Sequence, residues 1–125
     1  MNEQLRVSDI KVFVPAKDFQ LSLSFYQDLG WQTLGLHDKL AELELSGFRF
    51  FLQDYYNKGW ANNFMFYINI GDAQAWYEHI TEVIEKGNYG KARVNPPKLQ
   101  SHGDIVTHAW DPSGVLLHFA QRTDT

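Results

Sequence analysis

The sequence predicts an α+β protein assembled from two βαβββ modules, and three observations lead there. A strand–turn–helix junction occurs twice, at Phe13–Asp18 and at Tyr67–Asp72, placing the two aspartates 72 − 18 = 54 positions apart. Each junction is followed by apolar residues at helical spacing and then by segments in which apolar and polar residues alternate. Composition allows a packed core, because 44% of the 125 residues are hydrophobic and only 21% are charged.

The elements follow in order. Ile10–Val14 reads as the first strand. Asp18 can cap the helix behind it, since its carboxylate can accept from free backbone N–H groups. Phe19, Ser22, Leu23, Tyr26 and Leu29 then form a stripe that stops at Gly30. Trp31–Leu36, Ala41–Leu45 and Phe48–Gln53 complete module one, about residues 9–54. Residues 55–62 read as a linker, and module two covers about 63–121, so the whole chain is expected to form a single domain. Phe64–Ile70 is its first strand, and Asp72 caps a helix with Ala73, Trp76, Ile80, Val83 and Ile84 on the apolar side and a stop at Gly87. A weak strand near Lys91–Val94 lies at the start of a loop-rich stretch containing Pro96-Pro97. Ile105–Trp110 and Val115–Ala120 flank the tight turn Asp111-Pro112-Ser113-Gly114.

Several functions are excluded at this level. Net charge is −4 with lysine and arginine scattered along the chain, which disfavours nucleic acid as a partner. No apolar run approaches the ~20 residues of a membrane span. The first residues lack a signal-peptide layout, and cysteine is absent, so a cytoplasmic location is expected and thiol chemistry is not. There is no Gly-rich phosphate loop and no nucleophile elbow around Ser22, Ser24 or Ser46.

The element order, together with Val14-Pro15-Ala16-Lys17-Asp18, Ser24–Gly30, Phe50–Tyr56, Ala75–Ile80 and Trp110–Gly114, resembles the glyoxalase / bleomycin-resistance / dioxygenase superfamily over roughly residues 9–121. The resemblance implies curved mixed sheets forming a cup, with helices outside. It also implies a test for metal. Metalloenzymes of this superfamily place ligands at positions that fall here on Lys11, Met65, His118 and either Leu52 or Gln53. A lysine ammonium has no free lone pair at neutral pH, and methionine suits hard divalent ions poorly. The resemblance therefore points to the metal-free members, with no metal, no cofactor and no catalytic residue expected.

Strand alternation then sorts side chains. Phe64, Phe66, Ile68 and Ile70 form an apolar face for the helices to cover, leaving Met65, Tyr67 and Asn69 for the concave side. Ile10, Val12 and Val14 are likewise expected beneath helices, with Lys11 and Phe13 opposite. Arg49, Phe51 and Gln53 share one face of their strand against Phe48, Phe50 and Leu52, and His118 opposes Leu117 and Phe119.

The candidate ligand-binding residues are thus Lys11, Phe13, Gln53, Met65, Tyr67 and His118, with Trp60 at the rim. Lys11 has a second reading, as a stem lying along the sheet with its ammonium in water. His118 also fits a partly buried polar strand residue, Tyr67 fits cross-strand packing, and Trp60 fits a dimer contact. His108 lies across the last hairpin, whereas His37, His79 and His102 read as surface; Trp76 reads as core. Glu42 and Glu44 share a face, as a lure for cations or as solvated charges. The expected function is sequestration of a cationic or aromatic small molecule in the cup of a homodimer. The alternative is a metal-dependent lyase or dioxygenase using His118, Gln53 and a carboxylate such as Asp54 or Glu44.

Overall fold

A computed structural model describes residues 3–123. β1 (Phe13–Ala16) leads into α1 (Phe19–Leu29), followed by β2 (Gln32–His37), β3 (Leu40–Leu45) and β4 (Phe48–Asp54). A short α2 (Lys58–Asn63) precedes β5 (Met65–Asn69) and α3 (Ala73–Lys86). β6 (Arg93–Val94), β7 (Lys98–Leu99), β8 (Ile105–Trp110) and β9 (Leu116–Gln121) complete the chain. One sheet has the order β1-β4-β3-β2; the other has β5-β9-β8-β6, with β7 also paired to β8. In both, the module's first strand runs parallel to its last, and every other pair is antiparallel. The chain is α+β, and the repeated strand–helix–strands order is present twice.

Local chemistry sets the helix ends where the sequence predicts them. Asp18 Oδ1 accepts from the Leu21 amide at 3.2 Å, and Asp72 Oδ1 accepts from the Ala75 amide at 3.0 Å. At the end of α1, Gly30 adopts φ 124°, which a side chain would resist, and its amide bonds back to the Gln27 carbonyl at 3.0 Å.

Four expectations need correction. The predicted linker contains α2, capped by the Asn57 side chain, which accepts from the Trp60 amide at 3.0 Å. Six residues are too few to display an apolar period. The first strand starts at Phe13 rather than Ile10, because β4 pairs only with Phe13 through Ala16. Ile10 is consequently 78% exposed and Val12 is exposed too, so neither lies beneath a helix. Phe48 is 80% exposed beside the Ser46–Gly47 turn, where the apolar face of its strand runs out. Trp76 is only half-buried, stacked on Phe119 with ring centroids 4.7 Å apart.

One core joins both modules. Val14, Ala41, Leu43, Phe50 and Leu52 from the first sheet meet Phe25, Tyr26 and Leu29 of α1; Ile80 and Val83 of α3 and Leu117 and Phe119 of β9 belong to the same cluster. Each large apolar side chain so buried contributes roughly 1.5–3 kcal/mol. No helix among the described residues is long and apolar enough to cross a membrane.

A polar tie crosses this core. The Tyr26 hydroxyl donates to Asp111 Oδ2 at 2.7 Å, while the amides of Ser113 and Val115 donate to Oδ1 at 2.8 and 3.0 Å. Ser113 Oγ lies 3.2 Å from Ser22 Oγ and accepts from the Lys17 amide at 2.9 Å. The last hairpin of module two is thereby fastened to the first helix of module one. Removing one such charge-assisted bond in Tyr26→Phe should lower the unfolding free energy by about 2 kcal/mol in urea titrations.

Burial pushes the Asp111 carboxyl up to about 6, although the Tyr26 hydroxyl and the turn amides pull the other way. The folded state therefore holds this proton more tightly than the unfolded chain does. Its contribution is fully present below the unfolded value near 3.8 and is lost as pH rises through about 6. Across that window the stability of the native sequence relative to Asp111→Asn should fall by about 3 kcal/mol, measurable by urea unfolding at several pH values.

Candidate ligand-binding site

The helices cover one face of each sheet, and the mixed faces stay open. Phe13 is 45% exposed, Met65 57% and Tyr67 48%, large apolar groups that a packed interior would normally cover. Strand register explains the grouping. Phe13 pairs with Phe51 and Pro15 with Gln53 on the first sheet; Tyr67 pairs with His118, and His118 with His108, on the second.

On the first sheet the Phe13 and Phe51 rings lie 5.1 Å apart, and the Lys11 ammonium sits 5.2 Å from the Phe51 centroid. Lys11 Nζ is also 2.8 Å from Glu42 Oε2, which lies 3.7 Å from Arg49 Nη1; Arg49 Nε donates to Glu44 Oε2 at 3.2 Å. The Glu42 oxygen is buried and held by charge without an aligned hydrogen bond. Both carboxylates that could draw a cation are thus already countered. Lys11 is an anchored group on the open face rather than a free tail.

The second sheet carries an aromatic and imidazole surface. Tyr67 lies 5.5 Å from the His118 ring, His118 lies 4.9 Å from His108, and His108 lies 6.4 Å from Trp110. The Arg93 guanidinium covers Trp110 at 3.5 Å. Tyr67 donates to Asp104 Oδ2 at 2.5 Å and shares a 2.8 Å hydrogen bond with His102 Nε2. The hydrogen bond to Asp104 raises the Tyr67 pKa, so the phenol remains a neutral donor. Burial lowers the pKa of His108, with the Lys98 charge adding to it. Burial also lowers that of His118, assisted by His108 and His102. Near pH 7 both rings are therefore uncharged platforms.

The candidate residues fall into two groups. Lys11, Phe13 and Gln53 belong to the first sheet's open face, Met65, Tyr67 and His118 to the second's, and the sheets share no strand pairing among the described residues. Trp60 packs within its own chain, 5.7 Å from Tyr55 and 6.3 Å from Phe64. His102 is not simply surface, because it holds the Tyr67 hydroxyl, and His79 reaches the Leu29 carbonyl at 2.8 Å. Phe51, Asp104 and Arg93 join these faces without having been among the candidate ligand-binding residues. Phe51 was legible from alternation, whereas Asp104 and Arg93 arrive from a loop and a two-residue strand that the sequence barely marks. A cleft of about 330 Å³, lined by Trp31, Phe48, Phe50, Phe66 and Tyr67 among others, opens where β4 begins beside β5.

The residues at the metal positions that the sequence resemblance implies do not fit a resident divalent ion. The Lys11 ammonium is committed to Glu42 and Met65 offers only a thioether, which leaves Gln53 and His118 as the two donors. Among the described residues no group of three or more His, Cys, Asp or Glu side chains is arranged to hold a metal.

Comparison with known structures agrees with this architecture. A bleomycin-binding protein complexed with bleomycin superposes with a TM-score of 0.77 at 22% identity, over 93% of this chain and 99% of its own. The fold is that of the bleomycin-resistance proteins. A bleomycin resistance determinant encoded on the transposon Tn5 also gives 0.77 at 22% identity, over 94% of this chain and 100% of its own. TnmS3, an antibiotic binding protein from Streptomyces sp. CB03234, gives 0.73 at 17% identity, over 95% and 99%. No protein-family model matches the sequence, and no curated protein does.

Replacing His108 with alanine opens the site to water and removes the charge that His108 acquires as the pH falls, so the His118 midpoint should move up toward 6.5. Imidazole proton shifts followed by NMR across pH 4–8 would read this, and an unchanged midpoint would refute the coupling.

Proposed function

We propose that this chain sequesters small, flat, aromatic molecules, without a resident metal, in cups formed by a homodimer. The observation that carries the reading is the pair of uncovered aromatic faces, one on each sheet, presented by a fold shared with bleomycin-binding and antibiotic-binding proteins. One chain leaves both half-cups open. Apposing the Phe13–Phe51 face of one copy with the Tyr67–His118 face of another would bury both and enclose a ligand. Residues 6–12, outside any helix or strand, add exposed Val7 and Ile10 to the apolar surface that a second copy would cover.

Ring stacking supplies the affinity in this reading. The pairing of Glu42 and Glu44 with Lys11 and Arg49 favours an aromatic ligand over attraction by bare negative charge. A ligand cation is accommodated over the Tyr67 or Phe51 ring rather than by a free carboxylate. Sequestration needs only affinity, and a micromolar Kd corresponds to about −8 kcal/mol, within reach of several stacked rings. The same reading places the protein in the cytoplasm, where a ligand would be held away from its target.

Titration with bleomycin and a panel of cationic and neutral aromatic compounds should quench tryptophan fluorescence in a saturable manner. Tyr67→Ala and Phe51→Ala should each weaken binding about tenfold while leaving the fold intact. Light scattering should give twice the 14.5 kDa chain mass. A monomer that binds none of the panel would end this reading. Stoichiometric iron, nickel, zinc or manganese that is lost in His118→Ala would replace it with the metalloenzyme.

A further inference from the structure

Outside both sheet faces, three lysines from three parts of the chain converge on one cavity. Lys17 precedes α1, Lys58 opens α2, and Lys91 follows α3. With Tyr56, Asn62 and the Pro112–Gly114 turn they line a space of about 480 Å³, within the size range of small-molecule sites.

Among the described residues no carboxylate within 4 Å offsets the lysines gathered in this place, a condition they share with Lys39 and Lys98 elsewhere on the surface. Lys11, Arg49 and Lys86 each lie within 4 Å of a carboxylate, whereas Lys17, Lys58 and Lys91 form no ion pair among the described residues. Asp18 is the single carboxylate in the lining, and its Oδ1 accepts from the Leu21 amide as the cap of α1. Three positive charges thus face one committed negative charge, in a protein whose net charge is −4.

The cavity is also shaped as well as charged. The Lys17 ammonium is held 5.3 Å from the Tyr56 ring centroid. Gly114 adopts φ 96°, and a side-chain carbon added there would come within 3.1 Å of Asn62 Oδ1. Glycine therefore keeps the floor open. Ser113 beside it is fixed by its contacts to Ser22 and the Lys17 amide, so the buried tie between modules supports the floor. Like charges gathered without counter-ions repel one another, and an anion between them would relieve that repulsion.

We propose that this cavity binds a small, multiply charged anion of the phosphate-ester or pyrophosphate class, gripped by Lys17, Lys58 and Lys91. Recognition comes from side chains, with no Gly-rich loop involved. The site stands apart from the sheet faces, and its existence does not depend on what they bind.

Inorganic pyrophosphate is the probe. Titrated into the full chain at low ionic strength and followed by amide NMR, it should give saturable shifts at Ser113, Gly114 and Gly90. Sodium chloride at matched ionic strength should not. The triple variant Lys17→Gln, Lys58→Gln, Lys91→Gln should bind at least tenfold more weakly, while His118→Ala should bind like the parent. Should the triple variant fold poorly, Lys58→Gln and Lys91→Gln alone should each weaken binding about threefold. Absent or unsaturable shifts, equal shifts with chloride, or affinity unchanged in the lysine variants would each overturn the proposal.

Discussion

Two long helices serve two sheets, and a sheet has two faces, so half of the strand surface in this chain has no helix to cover it. α1 and α3 spend their apolar stripes on a single core shared by both sheets. Everything about the open faces follows from that allocation. Val14, Leu52, Leu117 and Phe119 go inward, and their neighbours Phe13, Phe51, Leu116 and His118 face the other way by strand parity. Large aromatic residues on the uncovered side are costly for an isolated monomer and useful for a protein that closes around something.

The two faces differ in chemistry. The first is a phenylalanine pair framed by a compact charge network in which Lys11 and Arg49 answer Glu42 and Glu44. The second is a run of rings, Tyr67, His118, His108 and Trp110, with burial holding the imidazoles in the uncharged form. A flat ligand placed between such faces would meet ring surface on both sides and hydrogen-bond donors at the edge. The same network engages Lys11 with a carboxylate, so its ammonium stays on the open face as a fixed charge.

The Asp111 tie links this arrangement to the rest of the molecule. It sits in the turn between β8 and β9, so it sets the hairpin that carries His108 and His118 against the helix that anchors module one. Its far side forms the floor of the lysine cavity through Ser113. One buried carboxylate therefore shapes the setting of both candidate sites without lying in either.

Local rules settled much of this in advance. Asp18, Gly30 and Asp72 marked helix ends through caps and a left-handed turn, and these depend only on neighbouring residues. Alternation along β4, β5 and β9 sorted Phe51, Gln53, Met65, Tyr67 and His118 onto the open faces, because pleat parity is a property of the strand itself. Distance in the chain hid the rest. How far β1 extends depended on where it parts from β4, whose Phe48–Phe50 pair only with β3, and this left Ile10 uncovered. That Glu42 would neutralise Lys11, that His102 and Asp104 would seize the Tyr67 hydroxyl, and that Lys17, Lys58 and Lys91 would share a cavity are contacts between residues far apart in the chain. Caps and parity are written locally; partners meet only once the two modules have folded against one core.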